Sequence, residues 1–385
     1  MPAFRRAVPR WAGAIASMTA LASLAAGCGS SSQSDSTSKA ADPTASAAVV
    51  RARAAVRQYQ QTGAAIALPA LSKAAPRNLR VDYVTPTIPV AEAATKGLQA
   101  AAKTLGWRLH LVPFQMTPEG YASAWSRAVD DPVDAVAYVG TFPDAGVAKQ
   151  LGQLQAKKVP AFVMVSDDKA PKGAVKAVFN GPAQFTVTGR LWGDIVGADA
   201  NGAAAHGVYV TDPSLGSIFA PLRASFDGEL RATCPKCSFD TLDVSSSGPA
   251  GSIAAALVSY LQRKPDTRYV VVTLADFLAG VPQALKAAGL AGKVKIIARQ
   301  PSAANLANLR DGDEYAEVVE EQGTLGWRGV DAMSRVLVGD PLTGCCDQPA
   351  GWHRILMRGN VPADGQVPTP PGDPAAFLKA WGQAG

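Results

Sequence analysis

Asp276 stands just past the strongest expected strand of the chain, Tyr269-Val-Val-Val-Thr273, and Phe277 follows it. A carboxylate there can accept hydrogen bonds from hydroxyls, and a neighbouring aromatic ring covers an apolar ring face. Other polar and aromatic residues close shorter apolar runs in the same way. The first half supplies Thr85 and Thr87, Gln115, Thr141 with Phe142, and Asp167 with Asp168; the second supplies Asp212, Ser214 and Ser217, then Glu320. If the runs are strands of open α/β sheets, these positions lie above the carboxyl edges, where ligands sit. Together they describe a surface for one small polar ligand. Singly, each also reads as a soluble loop or a helix cap, Asp144 and Ser217 especially.

Several chemistries are excluded by what surrounds these residues. A dinucleotide site needs a glycine-rich turn after the first strand, but the turn here is Thr85-Pro-Thr-Ile-Pro89, whose prolines remove two amide donors. Neither a Walker loop nor a Gly-x-Ser-x-Gly elbow is present. The three histidines, His110, His206 and His353, are scattered, which speaks against a triad or a zinc cluster. No cofactor, metal or catalytic residue is therefore expected.

The elements that must position the candidate residues alternate between short apolar runs and amphipathic segments, the pattern of largely parallel sheets covered on both faces. In the first half the expected strands are 79–84, 108–113, 135–139 and 161–165, with helices 90–105, 119–129 and 145–157 between them. Ala94, Leu98, Ala101 and Leu105 give the first helix one buried face. The second half repeats the order from a helix at 186–201 to a strand at 315–319 and a long helix at 326–338. The expected fold is thus α/β, with two similar doubly wound Rossmann-like lobes around a hinged cleft. Residues 79–179 with about 323–340 form the N-terminal lobe and 180–322 the C-terminal lobe. Residues 341–385 form a Pro-rich tail packing across them, with a strand near 353–357 and an apolar clip at Phe377, Leu378 and Trp381.

The chain has 385 residues, 48% hydrophobic and 18% charged, enough for two cores. Its formal charge of +6 owes three units to Arg5, Arg6 and Arg10, which precede the apolar run 11–26. That is a secretory signal over residues 1–27. Without it 34 Lys+Arg face 31 Asp+Glu, a balance that gives no electrostatic case for nucleic acid. Leu24-Ala-Ala-Gly-Cys28 resembles the lipobox of bacterial lipoproteins, implying lipidation of Cys28 and a membrane anchor outside the cytoplasm. Residues 28–78 then read as a polar tether, an alanine-rich helical segment and a connector. Cys234 and Cys237 can close locally; Cys345 and Cys346 can bridge each other or pair with that couple. A redox-active Cys-x-x-Cys should open a helix beside a strand, and this one follows a helix instead.

From Val81-Asp-Tyr-Val-Thr-Pro86, the helix 91–107, Pro132-Val-Asp-Ala-Val136 and the stretches 285–297 and 305–312, the chain resembles the type I periplasmic, sugar-type substrate-binding proteins of ABC transporters. The likeness runs over about 79–340. It implies lobes that close over a sugar, polyol or nucleoside-like ligand, an ABC permease as partner, a monomer, and crossovers near 165–181, 319–326 and in the tail. A ligand-sensing lipoprotein serving a receptor or histidine kinase is the alternative, a small-molecule enzyme a more remote one. Asp276 matches the family's ligand carboxylate, with Ala275 where an asparagine is usual. Glu320 stands where sugar binders carry glutamine, Arg223 is nearest to their arginine, and Thr87 and Ile88 replace their aromatic pair.

Overall fold

The computed structural model describes residues 46–130, 132–165, 171–344 and 351–383. The signal segment, Cys28, Asp167, Asp168, Cys345 and Cys346 lie outside the described residues.

The first element is α1 (Ala47–Gln60), capped by the Ser46 hydroxyl. Then come β1 (Arg80–Pro86), α2 (Pro89–Thr104), β2 (Arg108–Phe114), α3 (Pro118–Asp130), β3 (Ala135–Val139), α4 (Ala148–Ala156), β4 (Ala161–Val165) and β5 (Val175–Val178). These five strands form one parallel sheet in the order β2-β1-β3-β4-β5. The edge strand β5 is absent from the sequence expectation: four residues, one of them Lys176, are too short a run to show a period.

The second lobe holds α5 (Pro182–Ala200), β6 (Ala205–Thr211), α6 (Gly216–Thr233), β7 (Cys237–Asp243), α7 (Ser252–Arg263), β8 (Thr267–Val272), α8 (Val281–Ala287), β9 (Lys295–Arg299), α9 (Ala303–Asp311) and β10 (Ala316–Glu320). The chain returns to the first lobe with α10 (Gln322–Val338), gives β11 (His353–Met357) to the second, and ends with α11 (Ala375–Ala380) on the first. The second sheet runs β11-β10-β9-β8-β6-β7, parallel except for β11 against β10. The architecture is two α/β lobes, each a largely parallel sheet covered by helices. A disulfide joins Cys234 to Cys237 in the turn between α6 and β7.

Small residues set the helix crossings. A Cβ on Gly326 of α10 would lie 2.1 Å from the Leu98 nitrogen of α2, and one on Gly97 would lie 2.0 Å from the Gly323 carbonyl oxygen. Gly189, Gly193 and Gly197, one turn apart on α5, make room for α6 in the same way. Around that second crossing Trp192, Tyr209, Phe226 and Phe239 pack ring to ring in the core.

The helix α1, the alanine-rich helical segment expected from the sequence, packs on the second lobe. Val49, Ala52 and Val56 are its buried stripe, and Arg51 reaches Glu229 of α6 at 2.8 Å and Asp194 of α5 at 3.8 Å. Burial, then the nearby Glu229, raise the Asp194 carboxyl to about 7. In the unfolded chain it releases its proton near pH ~4. The folded state therefore holds the extra proton between these values, and the stability this gives is lost as pH rises from about 4 to about 7. Calorimetric melting should show the wild type losing more stability between pH 5 and pH 8 than Asp194→Asn; equal losses would remove Asp194 as the cause.

Candidate ligand-binding cleft

The carboxyl edges of both sheets converge on one cavity of about 610 Å³, its open mouth included. From the first lobe it is bordered by Tyr83 and Pro86 of β1, Ile88, Val90 and Ala91 at the start of α2, Met116 after β2, and Thr141 after β3. The second lobe contributes Leu215, Ile218 and Phe219 around the start of α6, Leu274 after β8, and Arg299 with Gln300 after β9. Asn180 and Gln322 stand on the strands of chain that cross between lobes.

Of the residues expected from sequence, Thr141 borders this cavity. Asp276 faces a second, wider groove with Glu320, about 1300 Å³ with its open mouth included, beside the second crossing and the tail residues 365–369. Its Oδ2 accepts a hydrogen bond from the Val90 N–H at 3.0 Å. Val90 lies in the first turn of α2, whose N-terminal amides carry partial positive charge and whose N-cap, Ile88, has no side-chain acceptor. Asp276 thus caps, from the second lobe, a helix of the first. Burial raises its pKa, and the Val90 amide opposes that shift.

Glu320 is 1% exposed and accepts from Thr188 at 2.7 Å and from Gln300 at 2.8 Å. Its Oε1 also lies 3.5 Å from Arg299 Nε. It is committed to internal partners. Asp212 likewise accepts from the Ser214 amide and from the Ser246 amide and hydroxyl. Desolvation opposes these bonds, but together they hold its carboxyl below the ordinary range. Ser214 is exposed in the same turn.

Six expected contacts lie elsewhere. Arg223 does not border the cleft: it pairs with Asp227 at 2.8 Å, donates to Thr241 and stacks over Tyr209. Phe277 is buried in the second-lobe core rather than at a cavity wall. Phe142 packs on Tyr121, with ring centroids 5.6 Å apart. Thr87, exposed, donates from its amide and hydroxyl to the Phe114 carbonyl and so extends the pairing of β1 with β2. Gln115 is exposed, and Thr85 is buried at the end of β1 without bordering the cavity.

The arginine of the cleft is Arg299, 1% exposed, its guanidinium held between the Phe185 and Phe219 rings at 5.0 and 5.2 Å. Burial lowers its pKa, against the pull of Glu320. It closes β9, so the strand-end rule that selected Asp276 applies to it equally. Asn180 and Gln322 carried no such signal, because their roles depend on where the chain crosses. Among the described residues no cluster of His, Cys, Asp and Glu is placed to hold a metal, and no helix is long and apolar enough to cross a membrane.

Two lobes bridged over a cavity at their strand ends define a binding-protein architecture. The chain belongs to the periplasmic binding protein domain family, whose match spans residues 83–341, and is a binding protein rather than an enzyme. Its fold is similar to that of GanP, a glucose-galactose binding protein from Geobacillus stearothermophilus, at 18% identity over 74% of this chain and 100% of that one, TM-score 0.61. The 5-methylthioribose transporter solute binding protein from Thermotoga lettingae TMO is similar at 15% identity over 82% and 95%, TM-score 0.65. A carbohydrate transporter solute binding protein from Agrobacterium radiobacter, in complex with D-arabinose, is similar at 20% identity over 74% and 97%, TM-score 0.63. A sequence search of curated proteins finds no match.

Proposed function

We propose that this protein is an extracytoplasmic solute-binding lipoprotein that closes over one small ligand and delivers it to an ABC permease. The observation that carries the reading is the cavity itself, walled by the carboxyl edges of both sheets, with the lobes bridged beside it by the Asp276–Val90 hydrogen bond. A ligand touching both walls favours closure, because only the closed form offers both sets of contacts. The sugars named for its structural relatives make a sugar-like ligand the starting point. The lipobox-like Leu24-Ala-Ala-Gly-Cys28 supports anchoring through Cys28.

The test is a thermal-shift screen of residues 29–385 against sugars, polyols, nucleosides and apolar small molecules, followed by titration of each hit onto the permease in nanodiscs. A ligand that raises the melting temperature and, with this protein, stimulates ATP hydrolysis supports transport. A protein whose melting temperature no compound changes would sink the solute-binding reading.

A further inference from the structure

The cleft is unusual in how its chemistry is divided. Ile88, Met116, Ile218, Phe219, Leu274 and Leu325 make its wall continuous apolar surface. Four of its polar side chains have buried atoms without a partner: the Tyr83 hydroxyl on β1, Arg299 at the end of β9, and Asn180 and Gln322 where the chain crosses between lobes. Arg299 Nη1 and Gln322 Nε2 are donors without acceptors, and Asn180 Oδ1 is an acceptor without a donor. Arg299 and Asn180 are more than nine-tenths buried. Gln300, the other amide at this end, already gives its Nε2 to Glu320.

Most buried donors and acceptors in proteins are satisfied, so four orphaned side chains around one cavity describe the hydrogen-bonding complement of what fills it. The complement has acceptor oxygens for Arg299 and Gln322 and a donor for Asn180. A fully hydroxylated sugar fits poorly along the rest of the wall. Each hydroxyl left there without a partner lowers affinity by roughly fivefold to a hundredfold. Apolar groups gain on the same surface.

On the reading of this protein as a solute-binding protein, we propose that its ligand is a predominantly apolar small molecule with one compact polar head that both accepts and donates hydrogen bonds, as a carboxamide does. The head lies against Arg299, Gln322 and Asn180, and the apolar body lies between the start of α2 and the start of α6. Arg299 and Gln322 then set specificity for the head, while the paired wall sets it for the body.

The experiment is calorimetric titration of the full chain with phenylacetamide, hexanamide and cyclohexanecarboxamide, each beside acetamide, and with D-glucose and D-arabinose. The apolar-bodied amides are expected to bind at least a hundredfold more tightly than acetamide and at least tenfold more tightly than either sugar. Arg299→Met and Gln322→Met should each weaken the amides at least tenfold. Gln322→Met changes no charge, and its melting temperature shows whether it folds, so the test survives if Arg299→Met does not fold. A sugar bound more tightly than every amide, amides that none of these variants weakens, or amides that all fail to bind would overturn the inference. The first of these leaves the solute-binding reading standing, whereas a protein unmoved by every compound of the wider screen removes both.

Discussion

Gly326→Val is expected to destabilise the protein by about 3 kcal/mol or more, the upper range for forcing bulk into a packed contact. A side chain at this position has nowhere to go. Its Cβ alone would meet the Leu98 nitrogen at 2.1 Å and the Ala94 carbonyl oxygen at 2.5 Å, both of them backbone atoms of α2. The helices would have to separate, and with them the packing of Leu98, Leu325, Val330 and Met333 in the first-lobe core. The melting temperature should fall by roughly 5–10 °C. Gly152→Ala on α4, where a Cβ meets nothing within 4 Å, is the control and should be neutral or slightly stabilising. An equal effect from both substitutions would show that helix propensity, not the crossing, is being measured.

Asp276→Ala is expected to weaken ligand binding more than tenfold while leaving the fold intact. A hydrogen bond to a charged group is worth about 1.5–3 kcal/mol, which corresponds to roughly tenfold to a hundredfold in affinity. This one, from the Val90 amide to Asp276 Oδ2, exists only while the lobes are together. The loss should therefore appear as a harder closure: small-angle scattering at saturating ligand should give the variant a larger radius of gyration than the wild type. Asp276→Asn keeps an acceptor oxygen and should lose less. An unchanged dissociation constant in calorimetry would remove Asp276 from closing the lobes.

Much of this architecture is legible in the sequence because it rests on periodicity. The stripe Ala94, Leu98, Ala101 of α2 and the run Tyr269–Val272 of β8 declare their elements by spacing alone. The tail was readable as well: Phe377 and Trp381 do clip onto Trp327 of the first lobe, with ring centroids 5.9 and 5.7 Å apart. The site was less legible. Strand ends locate a cleft, but they do not say which way a side chain turns or what it meets. Glu320 and Asp212 are strand-end carboxylates whose bonds go inward, and Phe277 turns into the core. Asn180 and Gln322 owe their place to the crossings, a long-range property that no local window contains. The helix α1 is legible as an alanine-rich segment but its docking is not, because Val49, Ala52 and Val56 form a thin stripe of small side chains, persuasive only beside the surface they cover.

The docking of α1 has a mechanical consequence. Residues 61–72 lead from this helix to the first lobe beside the returning tail, with Ile66 donating to the Pro371 carbonyl and Leu71 to that of Ala380. The lobes are thus joined by five passes of chain, two of them laced together by backbone hydrogen bonds. On the solute-binding reading proposed above, such a paired strap restricts sliding of one lobe past the other while leaving them free to hinge.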